Sequence, residues 1–167
     1  MVRRVAFKKA ILAGVAGAVA WEAGARLLIL SGLPAFDLVH MLGVLVFGSR
    51  AAVWEWWPAG IVMHSLVGAI WAIFYAYFFW SMFDAPPFVQ GLLFSILPAL
   101  LAGFVMIPQM DYMLDGAMRP VRTFASGLGT WGPVMVILGH FIYGIVMGTI
   151  YTRPVGYAVG RKVRSYV

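Results

Sequence analysis

Cysteine is absent from this chain, which excludes disulfides, thiolate metal sites and cysteine nucleophiles. Charge is also scarce: Asp, Glu, Lys and Arg make up 11% of the 167 residues, against roughly 25% in ordinary soluble domains. Hydrophobic residues reach 63%, where soluble domains have roughly 45–50%. A water-soluble fold of this size cannot bury that much apolar surface, so we expect a single domain embedded in lipid.

Motifs of common enzymes are missing as well. The chain has no Ser-His-Asp order, no glycine-rich phosphate loop, no HExxH sequence and no di-acid motif. The net charge of +6 does not predict nucleic-acid binding, because the basic residues gather at the two ends of the chain and form no face. We therefore expect a protein that is not an enzyme and does not bind nucleic acid.

Four segments are long and apolar enough to cross a bilayer, which takes about 20 residues. They run from Lys9 to Leu30, from Pro58 to Met82, from Pro87 to Pro108 and from Trp131 to Tyr151. A fifth stretch, Phe36 to Phe47, is apolar but too short to span, and predicts a helix in the interface or packed on the bundle. The predicted fold class is all-α, an integral membrane four-helix bundle.

The distribution of positive charge predicts the orientation. Eight of the 12 Lys and Arg residues flank the membrane at the termini: Arg3, Arg4, Lys8, Lys9, Arg153, Arg161, Lys162 and Arg164. An even number of spans places both termini on one side, and the positive-inside rule makes that side cytoplasmic. The basic tail, residues 153–167, is predicted to bind anionic lipid headgroups.

The two halves of the chain resemble each other. Pro34-Ala-Phe-Asp37 matches Pro108-Gln-Met-Asp111 at an offset of 74 residues. His64-x3-Gly68-x3-Ala72-x2-Tyr75 matches His140-x3-Gly144-x3-Gly148-x2-Tyr151 at an offset of 76. This pattern predicts two parallel helical-hairpin repeats, residues 9–82 and 87–152. Because small residues four apart let helix backbones approach in lipid, we expect the second and fourth spans to meet through Gly68, Gly144 and Gly148.

The histidine pair His64 and His140 is a candidate cofactor site. Two neutral imidazoles facing each other across a bundle are able to ligate a b-type haem, with glycine leaving room for the porphyrin edge. The alternative is that each histidine hydrogen-bonds a backbone carbonyl or a tyrosine in a helix interface. The packing interpretation is preferred, so no cofactor is expected, and haem b remains the alternative.

Metal binding is a further hypothesis. Asp37, Asp111 and His40, with the histidine pair, provide carboxylate and imidazole groups suited to zinc or iron. Asp in a Pro-x-x-Asp sequence is also typical of a helix start, and that interpretation is preferred. The thioethers of Met106, Met110, Met113 and Met118 suit Cu(I), although methionine is usually a packing residue.

Glu22 and Arg26 are an unusual charged pair inside the first span. Each charge near mid-bilayer costs about 2.5–3.5 kcal/mol, so a bare pair facing lipid is unfavourable. The second half has Ile96 and Leu100 at the positions we take as equivalent, so only one half carries the pair. We expect either a contact with a partner protein or an Arg26 side chain that reaches the outer surface with Glu22 as its counter-ion.

The last span carries a family resemblance in its run Gly139-His140-Phe-Ile-Tyr143-Gly144-Ile-Val-Met-Gly148-Thr-Ile-Tyr151. It resembles the last helix of small uncharacterised bacterial inner-membrane proteins, including the YagU-like kind, and the glycine-rich first span resembles theirs loosely. The resemblance implies a four-helix protein of the bacterial inner membrane and no particular activity.

These observations together favour a non-catalytic accessory subunit of a larger membrane complex. Its partners are expected to be other integral membrane subunits, contacted through Glu22, Arg26 and the glycines Gly68, Gly144 and Gly148. The first alternative is a small di-histidine cytochrome that moves electrons in the membrane. The second is a small transporter that acts as an oligomer.

Overall fold

The described part of the chain is predominantly helical and contains no strand. A computed structural model describes residues 5–33, 36–80, 82, 84–114 and 116–151. The basic tail, Arg3, Arg4 and Pro34 lie outside the described residues. The helices are α1 (Phe7–Leu30), α2 (Leu38–Phe47), α3 (Val53–Phe74), α4 (Pro87–Leu101), α5 (Ile107–Met113) and α6 (Trp131–Ile150). π-Helical segments, Tyr75–Phe79 and Ala102–Met106, follow α3 and α4, and a 3₁₀ segment, Thr123–Leu128, precedes α6.

The prediction of four spans is confirmed: four helices are long and apolar enough to cross a membrane. They are Phe7–Leu30, Val53–Phe79, Pro87–Met113 and Trp131–Ile150. Two of the predicted boundaries, Pro58 and Pro108, fall short of the helix ends. Pro58 lies inside α3, whose start is stabilised where the Glu55 carboxylate accepts the Ala52 N–H at 2.8 Å. Pro108 lies inside the helical span Pro87–Met113, directly after the π-helical segment Ala102–Met106.

The four spans form an arc in the order α3, α1, α6, α4. Helix α1 packs against both α3 and α6, and α6 also packs against α4. The prediction that the second and fourth spans meet through their glycines is wrong. Each glycine instead closes its own hairpin: a Cβ on Gly14 would lie 2.3 Å from the Gly68 carbonyl oxygen, and one on Gly91 would lie 1.9 Å from that of Gly144. Only glycine permits these two backbone contacts.

The two hairpins are joined where aromatic side chains of α1 and α6 lie against glycine. Trp21 of α1 covers Gly139 of α6, where a Cβ would lie 2.3 Å from indole atoms. In the reverse direction, Tyr143 of α6 covers Gly17 of α1, where a Cβ would lie 2.7 Å from the phenol ring. This reciprocal packing places both aromatic rings at the centre of the protein, and both are buried.

The fifth apolar stretch forms α2, which packs along the first turns of α3. A Cβ on Gly43 would lie 2.1 Å from the Trp56 carbonyl oxygen, and one on Gly60 would lie 2.0 Å from that of Val39. The helix begins after Asp37, whose carboxylate accepts the His40 N–H at 2.9 Å. Both the packed position and the predicted helix-start role of Asp37 are therefore observed.

Candidate functional site

The two histidines of the repeated sequence pattern lie on either side of one tryptophan. His64 of α3 and His140 of α6 are both buried and fall near the middle of their spans. The ring centroid of Trp21 lies 4.9 Å from that of His64 and 4.5 Å from that of His140. Sequence reasoning predicted the histidine pair but not the indole that connects the two imidazoles.

The two imidazoles differ in their hydrogen bonds. His140 Nδ1 lies 2.7 Å from the Val136 carbonyl oxygen. Because a carbonyl only accepts, Nδ1 carries the proton and Nε2 keeps a lone pair. His64 makes no hydrogen bond to any residue that the structure describes. The packing interpretation of the pair thus fits His140, whereas His64 is a buried polar group without a partner in the described chain.

A cavity of about 130 Å³ lies beside these groups, between the two hairpins. Its lining side chains are apolar apart from the two histidines, Trp21, Trp71 and Tyr143, which also carry polar atoms. No Asp, Glu, Lys or Arg is among the described residues that line it. The other lining residues are Phe36, Leu38, Leu42, Val67, Gly68, Trp71, Pro98, Leu101, Ala102, Met106, Ile107, Met110 and Val136.

The cavity opens sideways, between α3 and α4. These two helices are not among the closely packed pairs within the described residues. Three lining residues at this gap, Val67, Leu101 and Met106, keep 40–48% of their surface exposed. At one end the gap is closed by Phe94, whose ring lies 5.1 Å from that of Tyr75. An opening through the apolar flank of the spans leads into the hydrocarbon core of a bilayer, not into water.

The π-helical segment Ala102–Met106 forms part of the cavity wall through both of its end residues. π-Bulges are rare and occur frequently at functional sites. Pro98, one turn earlier, also lines the cavity and removes one N–H from the helix ladder. Pro98 and Pro108, which lie on either side of this segment, are the features of the sequence that accompany its irregularity.

A haem between His64 and His140 would have to occupy the place of Trp21. The indole lies within ring-contact distance of both imidazoles, and a porphyrin coordinated by both histidines needs that central space. The haem hypothesis stays a prediction, and its fit to these residues requires Trp21 to move. A dithionite-reduced minus oxidised absorption spectrum tests it directly.

Arg26 has two carboxylate partners within the chain. Its Nε donates to Glu22 Oε1 at 2.7 Å. Its Nη1 and Nη2 donate to the two oxygens of Asp37, at 2.9 and 2.6 Å. Sequence reasoning paired Glu22 with Arg26 and missed Asp37, which approaches because α2 turns back along the bundle. The charged pair therefore needs no partner protein to satisfy its hydrogen bonds.

The predicted metal ligands are not brought together. Asp37 is occupied by Arg26, and the Asp111 carboxylate accepts the backbone N–H groups of Val121 and Arg122. The His40 ring packs 4.5 Å from the ring of Trp56. No group of three His, Asp or Glu side chains suited to a metal ion exists among the described residues. Of the methionines proposed for Cu(I), Met106 and Met110 line the cavity, while Met113 is 63% exposed.

The glycines predicted to contact a partner are covered by the chain itself. Gly68 is buried against α1, and Gly144 and Gly148 are buried against α4. These faces are occupied by helices of the same chain, and a contact with another subunit through them stays a prediction.

Comparison with known proteins leaves geometry as the basis for a functional argument. No protein-family model, no curated protein and no solved structure matches this chain. The resemblance of the last span to YagU-like inner-membrane proteins accordingly stays a prediction.

Proposed function

We propose that this chain is a multi-pass membrane protein that binds a small uncharged molecule from the lipid phase in the cavity between its hairpins. The observation that carries the proposal is His64, a buried imidazole without a hydrogen-bond partner in the described chain, lining an apolar cavity. A buried polar group of this kind costs free energy unless a partner reaches it. A bound molecule with one polar group supplies that partner.

The proposed internal repeat helps to explain why the cavity exists. The first hairpin is closed by a contact between Gly14 and Gly68, and the second by a contact between Gly91 and Gly144. Gly91 lies 77 residues after Gly14, and Gly144 lies 76 residues after Gly68. Two hairpins related in this way would meet at two similar interfaces, α1 with α6 and α4 with α3. Only the first of these is closely packed in the described chain. The second is the open gap.

Residue differences between the halves support this account of the gap. At the same offsets, Trp21 corresponds to Pro98, and Tyr143 corresponds to Val67. The two large rings that fill the α1–α6 interface are thus replaced by two smaller side chains, both of which line the cavity. Gly17, which receives the Tyr143 ring, corresponds to Phe94, whose bulk holds α4 away from α3.

Photolabelling in membranes tests the proposal, with hexylbenzene carrying a diazirine as the probe. Label is expected to concentrate on cavity-lining side chains. Ala102→Phe, which places a ring inside the cavity, is expected to lower that labelling by about tenfold or more. Val105→Phe adds the same ring to the neighbouring lipid-facing surface and is the matched control, expected to label like the parent. Uniform labelling of all lipid-facing residues, unaffected by Ala102→Phe, would overturn the proposal.

The location of the protein is part of the same proposal. We infer that it lies in a bacterial inner membrane with both termini in the cytoplasm. One support is the concentration of Lys and Arg near the two chain termini. The other is the exposed tryptophans Trp54, Trp57 and Trp131, which lie where the second and fourth spans begin, on the side of the membrane opposite to the termini.

The second candidate is a role as an accessory subunit, and the observation that favours it is the net negative charge of the cluster of Glu22, Arg26 and Asp37. Arg26 faces two carboxylates, Glu22 and Asp37, so the cluster carries more acidic than basic groups, and about 30% of the Arg26 and Asp37 side chains is exposed. The offset of 77 residues between the glycine contacts makes Ala99 and Gly103 the equivalents of Glu22 and Arg26. This corrects the earlier assignment to Ile96 and Leu100, and the corrected positions are uncharged too. A cationic side chain of another subunit would complement the cluster.

Co-purification tests the accessory role. Replacing Glu22 and Arg26 together by Leu is expected to leave insertion intact and to reduce the recovery of partner subunits from mild detergent. Unchanged recovery would contradict this role and leave the lipid-phase binding role in place. The di-histidine cytochrome and the oligomeric transporter stay predictions.

A further inference from the structure

We propose that the occupant of the cavity is a neutral molecule with a single hydroxylated six-membered ring and a hydrocarbon tail, a lipid-soluble phenol or hydroquinone. This inference rests on the proposed binding function and adds the chemical class of the ligand. Three features of the site carry it: the volume of the cavity, the polar atoms beside it and the position of its opening.

The volume matches one six-membered ring. The cavity measures about 130 Å³. A dry engineered cavity of about 150 Å³ in another protein binds benzene, so a site of this size encloses one six-membered ring. The aromatic walls, Trp21 and Trp71, suit a ring, because aromatic pairs contribute about 0.5–1.5 kcal/mol beyond their buried area.

The polar atoms select a neutral hydroxyl group. His140 keeps an Nε2 lone pair, since its Nδ1–H is donated to Val136. His64, which has no hydrogen-bond partner in the described chain, provides a second imidazole. A neutral imidazole accepts a hydrogen bond from a hydroxyl at one nitrogen and donates at the other. Because no charged residue lines the described wall, a phosphate or carboxylate headgroup would be buried without a counter-ion.

The opening determines where the rest of the ligand lies. The gap between α3 and α4 is bordered by Val67, Leu101 and Met106, all apolar and partly exposed to lipid. A chain attached to the bound ring therefore leaves through the gap and continues among the lipid tails. The tail contributes burial without contacting the histidines, so ring recognition and tail burial are separable in an experiment.

Nuclear magnetic resonance of the histidine rings is a direct readout, because the chain contains only three histidines. Protein labelled with ¹⁵N-histidine in lipid nanodiscs is titrated with 4-hexylphenol, with hexylbenzene and with 1-decanol. 4-Hexylphenol is expected to shift the ring nitrogen signals of His64 and His140. His40, which packs on Trp56 and does not line the cavity, is the internal control and is expected not to shift.

The three probes separate this inference from the binding function on which it rests. We expect 4-hexylphenol to bind about tenfold tighter than hexylbenzene, because the hydroxyl satisfies His64. Equal affinity of the two would overturn the hydroxyl recognition but keep the lipid-phase binding role. Binding of 1-decanol as tight as that of 4-hexylphenol would overturn ring recognition. Absence of binding by all three would overturn both proposals.

A substitution adds a second test. His64→Leu is expected to weaken 4-hexylphenol binding by about tenfold and to leave hexylbenzene binding unchanged. His40→Leu is the matched control, expected to leave both affinities unchanged. Equal binding of 4-hexylphenol by the parent and by His64→Leu would overturn the role of His64. If His64→Leu does not fold, the probe comparison on the unmodified protein decides the question.

Discussion

The Tyr143 hydroxyl donates a hydrogen bond to the backbone carbonyl oxygen of Gly68 at 2.7 Å. The two residues are 75 positions apart, and the bond joins α6 to α3 across the face of α1. Gly68 is also the residue that closes the α1–α3 hairpin. One phenol therefore connects both hairpins at the back wall of the cavity, which both residues line.

Removal of this hydroxyl tests its contribution to stability. Tyr143→Phe keeps the ring against Gly17 and removes only the donor. We expect the free energy of unfolding to fall by about 1 kcal/mol, a usual value for one hydrogen bond in a membrane protein. Thermal unfolding in mild detergent measures the change. Tyr112→Phe, at an 80% exposed position, is the control, and an equal loss in both variants would contradict the assignment.

The close contact between Trp21 and Gly139 leads us to expect a loss of stability when a methyl group is added at Gly139. Gly139→Ala places a Cβ 2.3 Å from the indole, so Trp21 has to move away from the two histidines. Overpacking of this kind costs about 1–3 kcal/mol. Gly24→Ala, where the nearest atom is the flexible end of Ile142 at 3.4 Å, is expected to be nearly neutral. Restored stability in the double variant Trp21→Leu, Gly139→Ala would show that the indole is the cause; no recovery would argue against it.

Substitutions of Arg26 and of Asp37 are expected to lower the free energy of unfolding by different amounts. Arg26→Leu leaves two carboxylates facing each other in a partly buried site and is expected to cost about 2–3 kcal/mol. Asp37→Asn keeps an oxygen for one Arg26 donor and is expected to cost about 1 kcal/mol. Denaturation of the purified variants measures both values, with exposed Arg50→Leu as the reference. A smaller effect for Arg26→Leu than for Asp37→Asn would refute the bridging role.

The orientation in the membrane is testable by labelling single introduced cysteines, because the chain has no cysteine of its own that would react. Asp84→Cys, in the exposed loop between α3 and α4, is expected to react with a membrane-impermeant maleimide only from the cytoplasmic side. Arg50→Cys, between α2 and α3, is expected to react only from the opposite side. Labelling of intact cells and of inverted vesicles distinguishes the two, and the reverse pattern would mean that both termini face outward.

Composition and local pattern alone determined the membrane class, the number of spans and the short fifth helix. A run of about 20 apolar residues must satisfy its backbone groups as a helix in lipid, and that requirement needs no information about neighbouring helices. The start of α2 at Asp37 was also predictable, because an N-cap depends on residues that are close in sequence. The histidine pair was identified by its repeated spacing.

Only the tertiary structure decided which faces of the helices meet. Small residues occur on several faces of α1, α3 and α6, so spacing does not tell whether Gly68 faces Gly14 or Gly144. Arg26 is paired with Asp37 because the segment that carries Asp37 folds back along the bundle. Pro98 and Val67 line the cavity between α3 and α4, whereas Trp21 and Tyr143 fill the interface between α1 and α6. Lipid gives no hydrophobic preference between apolar faces, so the detailed fit of side chains across the helices determines the arrangement.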